Sequence, residues 1–253
     1  MSLDLAVREK LVSVINKQPY PLLFTTVSGA HLYGFPSPDS DYDLRGVHIL
    51  PVRELVSLYP LQETLEVSGF DDGLEIDLVT HDAAKFIRLM LKRNGYVLEQ
   101  LLSPLVLHSS PHHEELKALV PRCLTRHHAH HYLGFAQTEW ELFLKKPPHR
   151  VKPLLYVYRV LLTGIFLMQT GTVESNLVTL NEHFRLPYLP ELIARKTSGA
   201  EMETLNDADL TFHEREYQRL VQALESARDA SALPETPSAF DALNELLLRV
   251  RGV

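Results

Sequence analysis

The sequence predicts an α/β protein, with a small sheet domain followed by a helical one. Four short apolar or alternating runs, Leu22 to Val27, Tyr42 to Ile49, Glu63 to Val67 and Leu74 to Thr80, have the length and patterning of strands and are interleaved with helical spacing. Beyond Pro111 the texture changes to apolar residues at helical intervals with few strand-like runs. A soft boundary near residue 110 therefore divides 1–110 from 111–253.

The elements follow in order. Leu3, Val7, Leu11, Val14 and Ile15 recur at helical spacing, so a first helix is expected over about residues 2–17, ended by Pro19 and Pro21. This N-terminus mixes acids and bases through its apolar positions, which excludes a signal-peptide pattern. The apolar run Leu22 to Val27 reads as a buried strand that delivers Ser28-Gly29-Ala30 at its end, and His31 to Gly34 begins a short helix whose N-terminus favours anions. A second strand follows at 42–49, then a short helix or loop over Pro51 to Leu58. Asp71-Asp72-Gly73 is a hairpin turn between the next two strands. From His81 the pattern turns helical, with Phe86, Ile87, Met90 and Leu91 on one face, broken at Asn94-Gly95 and resumed over Val97 to Leu102. Helices are then expected over Glu114 to Val120, Arg122 to Lys145, Arg150 to Gln169, Asp209 to Ala230 and Asp241 to Arg251, with a joint bracketed by Pro187 and Pro190 and a turn at Leu233 to Ser238.

Composition bounds the function. The chain has 253 residues, 45% of them hydrophobic and 23% charged, which fits a soluble globular protein of one large or two modest domains. A net charge of −7 excludes a globally basic surface, so any nucleic-acid contact must be a local patch. Cys123 is the only cysteine, which excludes an intrachain disulfide and suits a cytoplasmic protein. The most apolar run, Leu154 to Met168, contains Arg159 and is expected to be too short to span a bilayer, so no membrane partner is expected.

The chemistry concentrates in Ser28 to Val47, SGAHLYGFPSPDSDYDLRGV. Successive strand side chains point to opposite faces, so Asp41 and Asp43 project together with Arg45 while Tyr42 and Leu44 enter the core. Two carboxylates on one face repel unless a positive charge sits between them, and hard divalent cations take such oxygen ligands together with substrate phosphates. On Leu74 to Thr80, Glu75 and Asp77 likewise share a face and supply a third acid.

Two further groups stand out. His127, His128, His130 and His131 crowd one helix, with His127 and His131 at a spacing that lets two imidazoles share a metal. No Glu follows His127, and a structural or substrate-facing role is favoured over zinc. The basic segment Lys145, Lys146, His149, Arg150 and Lys152 leads to Tyr156 and Arg159, and Lys152, Tyr156 and Arg159 fall on one helix face suited to a triphosphate.

Gly29-Ala30 followed by Asp41-Tyr42-Asp43-Leu44 resembles the signature of the DNA polymerase β-like nucleotidyltransferase superfamily. The longer run, with Leu32-Tyr33-Gly34 and Ser40 to Val47, and the later text KFIRLMLKRNGYVLEQLLSPLVL, resemble a bacterial and phage branch associated with RNA ligases and RNA repair. That branch usually carries Ser where this chain has Ala30, so the hydroxyl expected at a triphosphate is absent and backbone N–H groups would replace it.

The resemblance implies a nucleotidyltransferase domain built on a small mixed β-sheet over 1–110, an α-helical domain over 111–253, and a site in the cleft between them. It implies Mg²⁺ (or Mn²⁺) on Asp41, Asp43 and Asp77, with Glu75 as the alternative third acid, and an NTP as substrate. Nucleotide contacts are expected from Ser28, Gly29, Ala30, Ser40, Lys152, Tyr156 and Arg159. The implied reaction transfers a nucleoside monophosphate to an acceptor hydroxyl, with RNA as the first choice of acceptor. A protein side chain, a small molecule, or nucleotide or RNA binding without catalysis are the alternatives.

Overall fold

The computed structural model describes residues 3–145, 147–199 and 210–253. By compactness the chain divides into two units, Met1–Leu32 with Asp41–Cys123 and Thr236–Val253, and Tyr33–Ser40 with Leu124–Glu235. The boundary expected near 110 falls inside the first unit. The class is α/β, with a five-stranded mixed sheet in the first unit and an all-helical second unit among the described residues.

In the first unit α1 (Leu5–Ile15) starts where Asp4 Oδ1 accepts from the amides of Ala6 and Val7 at 3.0 and 3.3 Å. Then come β1 (Leu22–Val27), the one-turn α2 (Gly29–Tyr33), β2 (Tyr42–His48), α3 (Val52–Leu55), β3 (Thr64–Asp71), β4 (Leu74–Asp82), α4 (Ala83–Leu91), α5 (Gly95–Leu102), β5 (Val106–Ser109) and α6 (Pro111–Cys123). The sheet order is β3-β4-β2-β1-β5. β2 and β4 run parallel and the other neighbours antiparallel. The β3–β4 hairpin closes through Asp72 and Gly73 at φ of 48° and 81°, the paired positive angles of a type I′ turn, which is why a Gly stands second.

One face of the sheet is apolar. Val27, Leu44, Ile76 and Leu78 pack with Leu11, Val14 and Ile15 of α1 and with Leu105 and Leu107, and Tyr42 packs against this cluster. Each such side chain contributes on the order of 1.5–3 kcal/mol by leaving water. The opposite face carries Asp43, Arg45 and Asp77 and receives α4 and α5. Strand parity thus assigns Leu44 to the core and Asp43 to the other side, as the alternation predicts.

The C-terminal helix α12 (Phe240–Arg251) belongs to this first unit although it ends the chain. Arg251 Nη2 lies 2.7 Å from Asp82 Oδ2, and side-chain exposures of 5% and 0% make this a buried ion pair. Asp82 also caps α4 through Ala84 N at 2.9 Å and accepts from Leu50 N at 3.2 Å.

The second unit contains α7 (His128–Lys145), α8 (Val151–Thr170), α9 (Leu177–Phe184), α10 (Leu189–Ser198) and α11 (Leu210–Ala230). α8 is its core. It is 20 residues long and its most apolar 18-residue window has a mean hydropathy of 1.5, enough by length and composition to cross a membrane, so the expectation that this run is too short is corrected. Burial of 78% of that apolar window inside the protein accounts for its composition as a core helix.

Several expected boundaries move. The helix expected from Arg122 starts only at His128, Arg122 and Cys123 ending α6, and in the link between them Arg126 donates to the carbonyls of Leu233 and Ser231 and His127 contacts Glu235 at 2.6 Å. The joint expected at Pro187 and Pro190 lies between Phe184 and Leu189, and Pro190 falls in the first turn of α10, where a proline is tolerated. The start of the helix expected at Asp209, and Lys146 of the basic segment, lie outside the described residues.

Candidate active site

The site is built from the turn after β1, from β2 and β4, and from the first turn of α5. Asp43 and Asp77 stand directly opposite each other in the parallel β2–β4 pairing. Their carboxylates meet on one atom, since Arg45 Nη2 donates to Asp43 Oδ1 at 2.6 Å and to Asp77 Oδ2 at 2.9 Å. Arg45 reaches them because it lies two residues after Asp43, hence on the same strand face.

Three more bonds hold the guanidinium. Arg45 Nη1 donates to the carbonyls of Asp77 at 2.6 Å and Leu44 at 2.9 Å, and Nε donates to the Tyr96 hydroxyl at 3.1 Å. Tyr96 is placed by the start of α5, where Asn94 Oδ1 accepts from the amides of Tyr96 and Val97 at 3.0 and 3.4 Å. Ser68, across the hairpin, donates to Asp77 Oδ1 at 2.7 Å. Burial works against the Arg45 charge, but Tyr96, Asp43 and Asp77 outweigh it and hold its pKa above the usual arginine value.

The turn of Ser28 and Gly29 lies against Asp43. Ser28 N donates to Asp43 O at 2.7 Å, and Leu32 N reaches Ser28 O at 3.3 Å. Gly29 has φ of +58°, and a Cβ there would stand 1.8 Å from Asp43 Oδ2. The residue is glycine because the carboxylate occupies the space of a side chain and the backbone is left-handed. Ser28 is fully buried, and its Oγ has no hydrogen-bond partner among the described residues. Ala30 is buried at 4% exposure, one residue along the same turn.

The remaining predicted residues are placed as follows. Asp41 is half-buried and immediately precedes β2. Glu75, the alternative third acid, is exposed toward the hairpin turn. Ser40 belongs to the second unit, where its Oγ lies 3.0 Å from Ser37 Oγ, and the buried Lys196 donates to Ser37. Lys152, Tyr156 and Arg159 all lie on α8 in that unit. Arg159 is fully buried with its guanidinium carbon 3.9 Å above the Tyr33 ring, and Tyr156 sets its ring edge-on to Tyr33 and Phe35. Lys152 is half-buried one turn earlier. The histidines of α7 form no metal cluster, and among the described residues no three His, Cys, Asp or Glu side chains converge as a metal group.

Asp43 and Asp77 nevertheless fit a cation. Both oxygens already accept from the same positively charged nitrogen, so they are close enough to share one centre, and carboxylate oxygens are the donors that Mg²⁺ and Mn²⁺ take. Arg45, Tyr96 and Ser68 are the contributors that the sequence reading did not assign. The available signal was the parity that puts Arg45 beside Asp43; nothing local marks Tyr96 or Ser68.

A family model described as RlaP, the RNA repair pathway DNA polymerase beta family, matches residues 3–249. The chain belongs to this family. By its description that family is one of DNA polymerase β-type proteins. It is 36% identical over 155 residues to an uncharacterized protein, MJ0002, of Methanocaldococcus jannaschii, a match covering 61% of this chain and 63% of that protein, less than two thirds of its length. It is 27% identical over 237 residues to the uncharacterized protein YcgL of Bacillus subtilis, covering 90% of this chain and 88% of that one. A nucleotidyltransferase-like protein from Exiguobacterium sibiricum aligns over 96% of this chain and 79% of its own at 13% identity and a TM-score of 0.35.

Proposed function

We propose that this RNA repair polymerase β family protein transfers a nucleoside monophosphate from an NTP to a hydroxyl at an RNA end. The observation that carries the proposal is the convergence of Asp43 and Asp77 on one cationic position beside the buried Ser28-Gly29 turn. Asp43 and Asp77 would hold the divalent cation, and Asp41, immediately before β2, would be the third carboxylate. A cation bound there supplies positive charge to the attacking hydroxyl and to the departing pyrophosphate. Asp77 is the acceptor for the proton of the attacking hydroxyl. Ser28 and Gly29 hold Asp43 in place from behind, through the Ser28 amide and the absent Cβ of Gly29. In the reaction the acceptor oxygen bonds to the α-phosphorus and the bond from that phosphorus to the bridging oxygen breaks. Pyrophosphate leaves with that oxygen.

Pyrophosphate release is measured with each NTP, with Mg²⁺ or Mn²⁺, with and without a pool of RNA ends. The expected result is metal-dependent release that requires RNA and falls to background in Asp43→Asn and Asp77→Asn. Release without RNA would move the acceptor to a protein or small molecule. Salt-sensitive RNA binding with no release under any condition would make the chain a binding module instead.

A further inference from the structure

Two carboxylates and one guanidinium leave a net charge of −1 at the site, and the guanidinium stands where the cation of the proposed reaction belongs. Arg45 is well anchored there. It spans Asp43 and Asp77, donates to two backbone carbonyls and is steadied by Tyr96, with only 11% of its side chain exposed. A divalent ion and Nη2 cannot both sit between Asp43 Oδ1 and Asp77 Oδ2, because the two oxygens already close on a single nitrogen at 2.6 and 2.9 Å.

We propose that Arg45 is the resident counter-ion of the Asp43–Asp77 pair, a positioning residue that holds the two carboxylates in ligating geometry and leaves them when a divalent cation enters. The inference rests on the metal reading of Asp43 and Asp77 given above. Its physical content is a competition. Without a cation, like charges across β2 and β4 repel, and Arg45 offsets that repulsion. With a cation present, the fork must give up both carboxylate bonds, so the metal affinity of the nucleotide-free protein is lowered by whatever Arg45 contributes. Tyr96 and the Asp77 carbonyl lie on the guanidinium's Nε and Nη1, not on the nitrogen that touches the carboxylates, so they retain the side chain nearby after Nη2 lets go.

The test is Mn²⁺ binding to the full chain without nucleotide, followed by the electron paramagnetic resonance of the free ion. Wild type is compared with Arg45→Gln, Arg45→Lys, Tyr96→Phe and Asp43→Asn. Arg45→Gln removes the competing charge and is expected to bind Mn²⁺ about tenfold tighter or more. Arg45→Lys keeps a point charge that cannot fork across both carboxylates and should fall between. Tyr96→Phe loosens the fork without changing the carboxylates, and its affinity should rise by a smaller factor. A residue that merely supported the fold would leave metal affinity unchanged or lowered in these variants. If Arg45→Gln does not fold, the Lys and Phe variants decide, and unchanged affinity in both overturns the inference. Binding that depends on Asp43 but is equal in wild type and Arg45→Gln overturns the role of Arg45 and leaves the metal reading standing. Binding that survives Asp43→Asn, or no binding in any variant, overturns the metal reading and this inference together.

Discussion

At the scale of single residues the site depends on what is missing as much as on what is present. Gly29 gives Asp43 its place, since a methyl group there would stand 1.8 Å from the carboxylate oxygen, on a backbone already at φ of +58°. Gly29→Ala is therefore expected to displace Asp43 and to cost about 1 kcal/mol or more in stability from the left-handed backbone alone. Urea denaturation reads the second effect, and pyrophosphate release reads the first. A variant that is destabilised but turns over at the wild-type rate would show that Asp43 is not held by this contact. Asp43 and Gly29 were legible from their spacing in the SGA…DYD stretch, because turn glycines and alternating acids are local patterns. Tyr96 was not, since its partner Arg45 is 51 residues away and only the folded sheet brings them to 3.1 Å.

At the scale of elements, helix ends do the positioning. Asn94 starts α5 and so brings Tyr96 to Arg45, while Asp82 ends β4, caps α4 and receives Arg251 from α12. Arg251 also donates to Leu50 O at 2.7 Å. Removing one member of a buried ion pair leaves the other charged and desolvated, so Arg251→Ala is expected to destabilise the protein by about 3–5 kcal/mol. Equilibrium denaturation measures this, and a loss below about 1 kcal/mol would class the contact with exposed pairs. Elements with strong periodicity, such as β1, β2, the β3–β4 hairpin and α8, were legible in the sequence because each carries its own pattern. β5 was not, for it has four residues of which Leu107 alone is buried, too short a run to alternate. α9 and α10 were hidden for a related reason, since each is short and Pro187 and Pro190 suggest interruption. Pro190 in fact starts a helix, a distinction that depends on which turn the proline occupies.

At the scale of the whole molecule, sequence order and compactness part ways. Residues Tyr33–Ser40 belong to the helical unit and Thr236–Val253 to the sheet unit, so neither unit is one continuous stretch. No local pattern reports such returns, which are set by partners such as Arg159 for Tyr33 and Asp82 for Arg251. Each unit also keeps a histidine neutral. Burial and then Lys85 press His81 down to about 4, and burial and then Arg159 press His131 down to about 4, both from an ordinary 6.5. In the unfolded chain these rings take up protons as pH falls through about 6.5, while in the folded chain they stay neutral until about 4. The unfolded state therefore binds more protons across that window, and stability is full above about pH 6.5 and declines below it. Each ring contributes a slope of about 1.4 kcal/mol per pH unit within the window. Denaturant titrations from pH 7.5 to 5 should show the decline, and His81→Gln, which keeps a partner for Thr64, should remove one share of it and His131→Gln another, with His48 and His113, also held down by burial, adding to the rest. A stability that stays level over this range, or a slope unchanged in both variants, would mean that these rings gain protons in the folded protein as readily as in the unfolded chain.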